Sequence, residues 1–178
     1  MTNPVCIRVE QPGDVPHIRD IAAHAFGQRA EADLIDRLRA NGDALISLVA
    51  VADIGELVGH ILFSRLRVDR GKGRMIEAAA LAPLAVRPEY QRQGFGSALV
   101  HAGIRACSAR GLAGIVVLGH PRFYQRFGFS AAAARSLRAP FSGDAFMALE
   151  LAPGALAGSP GIVHYADAFD ALAAEEHS

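Results

Sequence analysis

Gln91-Arg92-Gln93-Gly94-Phe95-Gly96 has the residue types and spacing to hold a phosphate. The apolar run Leu84-Ala85-Val86 ahead of it reads as the end of a strand. Pro88 then breaks the chain, because proline lacks an N–H and restricts the residue before it. From Ser97-Ala98-Leu99 onward, apolar residues recur at helical spacing. A strand end, a glycine turn and a helix start together cradle an anion. Glycine lets the backbone come close, and the free amides and the positive end of the helix dipole hold the charge. Two phosphate loops are excluded. A dinucleotide fingerprint needs a third glycine where Leu99 stands and an acid about 20 residues on, where the chain reads Ile115-Val116-Val117-Leu118. A P-loop needs Gly-Lys-Ser/Thr, which Gly71-Lys72-Gly73 does not supply.

A second cluster lies downstream at Gly119-His120-Pro121-Arg122-Phe123-Tyr124-Gln125-Arg126-Phe127-Gly128-Phe129. Gly119-His120-Pro121 ends a strand and opens a short helix, Gly128 stops that helix, and Phe123, Phe127 and Phe129 are expected in the core. The first cluster matches Gln/Arg-x-x-Gly-x-Gly/Ala at Gln91, Gly94 and Gly96. With Tyr124-x-x-Phe127-Gly128-Phe129 following in the same order and at the same separation, the chain resembles the GNAT superfamily of N-acetyltransferases. Its Gly-His-Pro-x-x-Tyr form is most similar to the YhbS-like branch. The resemblance runs from about Arg8 to Leu151. It implies an α/β (α+β) GNAT fold: a mixed central sheet of about seven strands flanked by helices and splayed between the two middle strands.

The resemblance also implies a cosubstrate, acetyl-CoA, and a place for it. Its pyrophosphate would rest on Gln91, Arg92, Gln93, Gly94, Phe95, Gly96 and Ser97. Its pantetheine arm would pair like an extra strand with Leu84, Ala85 and Val86, in the gap before Ile115–Leu118. Acyl transfer to an amine needs a neutral amine, a polarised carbonyl and a proton for the leaving thiolate. Backbone N–H groups of the Leu84–Val86 segment can polarise the carbonyl. By resemblance, Tyr124 supplies the proton. A phenol ordinarily titrates near 10 and a thiol near 8.5, so Tyr124 is protonated at neutral pH and can share its proton as the thioester breaks. The alternative for Tyr124 is a ring packed at a helix–sheet seam with its hydroxyl bonded to backbone. Two residues are candidates for the base. Glu77 lies on the strand leading into the cleft, where many family members have a glutamate acting through water; otherwise it faces outward in a salt bridge. His120 ends a strand and titrates near neutrality; otherwise it is a structural cap beside Pro121. His60 and His164 are weaker candidates. No His/Cys/Asp/Glu cluster has metal-ligand spacing, so no metal is expected.

The function so implied is acetyl-CoA-dependent N-acetyl transfer to a primary amine, by direct attack in a ternary complex. The acceptor, a small molecule or a peptide, is unassigned, and the resemblance leaves a homodimer open. Two other readings stand beside it: a non-catalytic acyl-CoA-binding module of the same fold, and an acyltransferase for a longer chain.

Several elements must position these residues. Cys6–Val9 reads as a first strand. Asp14 is placed to cap a helix over about Val15 to Phe26, and a second helix fits Glu31 to Arg39. Leu45–Val51 and Leu57–Phe63 form an antiparallel hairpin across Asp53-Ile54-Gly55-Glu56. Arg65 to Arg74 reads as a polar connection whose five basic side chains either face water or meet an acidic substrate. Met75–Val86 is a strand interrupted by Pro83, which implies a bulge or splay. A central helix spans about Gly94 to Arg110, with Leu99, Val100, Gly103, Ile104 and Cys107 on its apolar face. A buried strand follows at Ile115–Leu118. Leu137–Gly143 is a loop, Asp144–Leu151 a half-exposed strand, Ile162–Tyr165 a last short strand and Ala168–Leu172 a closing helical turn.

The 178 residues suggest one domain, with 1–152 as the acetyltransferase domain and 153–178 as an extension packed on it, frayed at its end. Half of the residues are hydrophobic, which suits a globular core. The 18 basic and 18 acidic side chains cancel, so no basic field attracts nucleic acid. No apolar run approaches the ~20 residues of a membrane span. The start shows no signal segment. Cys6 and Cys107 lie far apart, which fits a reducing cytoplasm. Cys107, on an apolar helix face, reads as a buried thiol and not a nucleophile.

Overall fold

The computed structural model describes residues 5–53, 55–140, 143–158 and 160–175. Ile54 of the predicted hairpin turn, residues 141 and 142 of the predicted Leu137–Gly143 loop, Ser159 and residues 176–178 lie outside these. Eight strands occur: β1 (Cys6–Val9), β2 (Ala44–Val51), β3 (Leu57–Asp69), β4 (Met75–Val86), β5 (Gly114–Leu118), β6 (Leu137–Arg138), β7 (Phe146–Glu150) and β8 (Gly161–Tyr165). The helices are α1 (Val15–Phe26), α2 (Ala30–Ala40), α3 (Phe95–Ala109), α4 (Pro121–Tyr124) and α5 (Ala168–Glu175). The strands hydrogen-bond in the order β1-β2-β3-β4-β5-β7, with β8 paired to β3 and β6 paired to β8. The sheet is mixed. β4 and β5 run parallel, as the crossover through α3 requires, whereas β5 and β7 are antiparallel.

The residues group into two compact units. The first comprises 1–63, 82–103 and 167–178. Here α1 buries Ile18, Ile21 and Ala22, and α2 buries Ala32, Leu34, Ile35 and Leu38. Each large aliphatic side chain so removed from water contributes about 1.5–3 kcal/mol. The helices pack on each other, and Arg19 ties them on the outside by pairing with Asp33 at 3.0 Å and with Asp36. α5 packs on α2. The first part of α3 comes so close to β3 that a Cβ on Gly103 would stand 2.1 Å from the Phe63 ring. Only glycine lets the helix sit there.

The second unit comprises 64–81 and 104–166. Its core is Leu66, Val68, Ala78, Ala79, Ile115, Val116, Phe129 and Met147, all at most 1% exposed. The β4–β5 register consists of Ala79↔Ile115 and Ala80↔Val116, whereas β5 pairs β7 along its whole length. The ladder therefore stops before Pro83, whose peptide with Ala82 is cis.

Several expectations need correction. Leu137–Arg138, expected within a loop, is a short strand paired with β8, which brings the sheet to eight strands among the described residues. The Arg65–Arg74 connection shrinks to 70–74, since β3 continues to Asp69. Leu66 and Val68 are buried while Arg65 and Arg67 are exposed, a period of two that the count of basic residues masked. Asp14 does not cap α1 with its side chain. It sits in helical conformation and accepts from Arg8 and from the Gln11 amide at 2.7 Å. Phe123 and Phe127 are half-buried, and Leu118 is 49% exposed. The closing turn is a full helix to Glu175.

Candidate active site

The Leu84–Ser97 segment lies wholly in the first unit. Arg87 N–H donates to Val58 O at 2.8 Å, so residue 87 and, by strand alternation, residue 85 turn their peptide groups toward β3. Leu84 and Val86 turn theirs to the opposite edge of β4, which is the geometry a pantetheine arm needs. After a 3-10 turn at Pro88–Tyr90, the chain makes two left-handed residues, Arg92 (φ 59°) and Gly94 (φ 93°), before α3 begins. Left-handed backbone costs a non-glycine residue about 1 kcal/mol. Alternating with ordinary residues, it turns successive amides toward one concavity, an anion-binding nest. The first helical bond from this turn joins Ala98 N–H to Gly94 O at 3.0 Å. The amides of Phe95 and Gly96 therefore have no carbonyl one turn back within the helix. Residues 91–94 are exposed.

The loop is braced by its own side chains. Gln91 Nε2 donates to Val86 O at 3.0 Å, and Gln93 Nε2 donates to Glu89 O at 2.8 Å. Phe95 is buried against Tyr90, edge to face at 5.8 Å, and Tyr90 donates its hydroxyl to Glu56 at 2.9 Å. Arg87 holds the strand end by donating to Leu57 O and pairing with Asp20 at 2.9 Å. The resemblance places a pyrophosphate on Gln91, Arg92 and Gln93; in the structure the side-chain amides of Gln91 and Gln93 donate to the carbonyls of Val86 and Glu89. The Glu56–Tyr90–Phe95 brace was not anticipated, because nothing local links a hairpin glutamate to residue 90.

The Gly119–Phe129 segment lies wholly in the second unit. β5 ends at Leu118, and Gly119 N–H donates to Ala145 O at 3.0 Å. Pro121 opens α4, where its missing N–H costs nothing, and the His120 carbonyl accepts from the amides of Phe123 and Tyr124. Gly128, with φ 95°, ends the following 3-10 turn. Tyr124 is buried, with Phe123 and Phe129 edge to face at 4.9 and 5.8 Å. A Cβ at Gly119 would stand 2.5 Å from the Tyr124 ring, so Gly119 is the seat of the phenol. This role was missed; the signal was a glycine within the motif itself. Burial alone pushes the Tyr124 phenol up to about 12. Glu77 is exposed on β4, its carbonyl accepting from Ala113 N–H at 2.9 Å. His120 is exposed, and its side chain makes no cap to α4. Among the described residues, no group of three or more His, Cys, Asp or Glu can hold a metal.

His60, a weak candidate from sequence, belongs to a separate cluster. It is fully buried, with Nε2 2.8 Å from Ser47 Oγ. Ser47 also bonds Glu10, which pairs with Arg39 at 2.8 Å. Burial by itself would raise the Glu10 carboxyl, but the neighbouring His60, the Arg39 guanidinium and the Ser47 hydroxyl outweigh it and hold it down at about 2. An ionised Glu10 only accepts, so Ser47 gives it the hydroxyl proton and must itself accept from His60 Nε2–H. His60 Nδ1 is then a bare lone pair, and it has no partner. A histidine that donates to serine cannot activate it as a base. The trio is structural and not a hydrolytic triad.

A parallel β4–β5 pair, a left-handed turn entering α3 and a buried phenol after β5 define an acyl-CoA-type transferase. The acetyltransferase (GNAT) family model matches residues 15–129, and the chain belongs to that family. It is 39% identical over 166 residues to the uncharacterised N-acetyltransferase YhbS of Escherichia coli K12, across 92% of this chain and 98% of that one. The crystal structure of YhbS from Escherichia coli in complex with CoA matches with a TM-score of 0.86 at 37% identity, covering 96% of this chain and 94% of that one. A GNAT family acetyltransferase from Brucella melitensis in complex with acetyl-CoA matches with a TM-score of 0.78 at 32% identity, covering 94% and 99%.

Proposed function

We propose that the protein transfers an acetyl group from acetyl-CoA to a primary amine by direct attack in a ternary complex. The observation that carries this reading is the pair of left-handed residues Arg92 and Gly94 at the start of α3. Such strain persists where a function uses it, and a diphosphate is the ligand that a glycine nest at a helix start suits. The CoA and acetyl-CoA complexes of the two relatives support the same cosubstrate.

In this reading the diphosphate lies on the amides of residues 92–97, with Arg92 adding charge. The pantetheine arm pairs with the open edge of Leu84 to Val86, whose amides polarise the thioester carbonyl. The neutral amine attacks that carbon, the tetrahedral intermediate collapses and the C–S bond breaks. Tyr124 hydrogen-bonds the departing sulfur. Its phenol is too weak an acid to surrender the proton fully to a thiolate, so it stabilises the developing charge as donor. The proton lost by the amine leaves through Glu77 or His120, both exposed and able to exchange it with water.

The test is thiol release from acetyl-CoA across an amine library, with Tyr124→Phe as comparison. Turnover that falls about 100-fold in the variant supports the assignment. An unchanged rate removes Tyr124 from the mechanism. CoA binding by calorimetry without turnover on any amine would instead make the protein a binding module.

A further inference from the structure

We propose that the turn end of the β3–β4 hairpin is a second anion site, for a small ligand carrying two negative charges on oxygen: a phosphate monoester or a dicarboxylate. A cavity of about 380 Å³ lies there, within the size range of metabolite pockets. Arg70, Arg74 and Ile76 form one wall, and the 154–158 loop forms the other. Two arginines line it, and among the described residues no acidic residue does.

The two arginines are positioned by backbone. Arg70 N–H donates to Arg74 O at 2.9 Å, and Arg74 N–H donates to Gly71 O at 3.0 Å, which closes the turn and sets both side chains on its base. Arg70 is then fixed as a side chain. Its Nη2 donates to Leu156 O, and its Cδ and Nε cross Gly161, each 3.2 Å from where a Cβ would stand. Ser136 Oγ donates to the same Leu156 carbonyl at 2.7 Å, which holds the acceptor in place. This anchoring leaves Arg70 Nη1 buried without a partner. Buried donors are rarely left so, and a planar guanidinium binds oxyanions through paired N–H groups.

The neighbouring acids do not neutralise the pair. Glu150 accepts from the amides of Gly154 and Leu156, both at 3.0 Å, and Asp69 accepts from Gly71 N–H at 2.7 Å. Among the described residues, neither Arg70 nor Arg74 pairs with a carboxylate. The site is also distinct from the proposed catalytic residues. It shares none with the 91–97 loop, and Ile76, on its wall, leaves β4 on the face opposite Glu77.

Calorimetric titration of the full chain with inorganic phosphate and, separately, succinate tests this. Ionic strength is held with sodium chloride, and excess CoA is present to fill the 91–97 loop. Saturable 1:1 binding of one anion identifies the charge carrier, phosphate for a monoester and succinate for a dicarboxylate. Arg74→Gln, an exposed position, should weaken it about tenfold or more, and Arg70→Lys should weaken it likewise. Binding of neither anion, or binding that Arg74→Gln leaves unchanged, overturns the proposal. The Arg74 dependence reads this site whether or not CoA binds.

Discussion

Gly119 lies directly against the ring of Tyr124: a Cβ on residue 119 would come within 2.5 Å of Tyr124 Cε2 and 3.0 Å of Cδ2. The ring is wedged between that backbone and Phe129, so the phenol cannot move without either giving way. Gly119→Ala should displace the hydroxyl while leaving its chemistry intact. The expected result is a fall in kcat of about tenfold or more with KM for acetyl-CoA within about twofold, since small misplacements act on the transition state. Steady-state kinetics beside Tyr124→Phe check this. A Gly119→Ala enzyme with full kcat would mean that the phenol position is not critical.

The pH dependence of turnover follows from burial. With the phenol pushed up to about 12, Tyr124 stays protonated through the range in which amines lose their proton. The rate at saturating acetyl-CoA should therefore rise with pH and show no descending limb below about pH 10. A descending limb below that value which vanishes in Tyr124→Phe would contradict the burial argument.

Arg92 and Gly94 separate conformation from charge. A Cβ at Gly94 meets nothing within 4 Å, so Gly94→Ala is penalised only through its φ of 93°, by about 1–2 kcal/mol. It should raise KM for acetyl-CoA several-fold. Arg92→Gly should keep or raise the melting temperature, because glycine adopts φ 59° without strain, while still weakening acetyl-CoA by loss of charge. Thermal melts and KM measured on both variants check the pair of opposite outcomes on stability.

The Glu10–Ser47–His60 cluster makes stability sensitive to acid. Burial holds the His60 imidazole below its ordinary range, against the opposing pull of Glu10. Between its folded value and about 6.5 the unfolded chain binds more protons, so stability rises with pH there and is lost as pH falls. Glu10, held at about 2, adds a second loss between about pH 4.5 and 2 by the same sign. Urea midpoints should drop between pH 7.5 and 5.5, and His60→Gln should flatten that part of the curve. A His60→Gln slope equal to the parent's would assign the drop to other groups.

The two cysteines should react unequally. Cys6 is exposed, whereas Cys107 is buried and its thiol is pushed up to about 12 by burial. A thiol reagent at pH 8 should label one group per native chain and two after unfolding. Cys107→Ala should leave turnover unchanged. Two fast groups in the native protein would show that Cys107, on α3, is not buried.

The local conformations of the candidate segments were legible because their signals are local. Glycine spacing after Gln91 states a backbone conformation, and Arg92 and Gly94 adopt the left-handed angles that such a turn needs. The Pro121 start and Gly128 stop of the helix bearing Tyr124 are likewise properties of single residues. Met75–Val86 and Val15–Phe26 appear with the bounds their periodicity indicates. Local reading failed where one local cue hid another: five basic residues in Arg65–Arg74 obscured the alternation of Leu66 and Val68.

Other features depended on which distant side chains meet. Glu10, Arg39, Ser47 and His60 come from different elements, and no spacing in the chain brings them together. The same holds for Arg70 with Leu156 and Tyr90 with Glu56. Sequence by itself determined the conformations, through dihedral preference and the burial period of each segment. Tertiary structure alone decided the partners, because a side chain's hydrogen bonds and its proton affinity depend on what packing brings beside it and on how much water that packing removes.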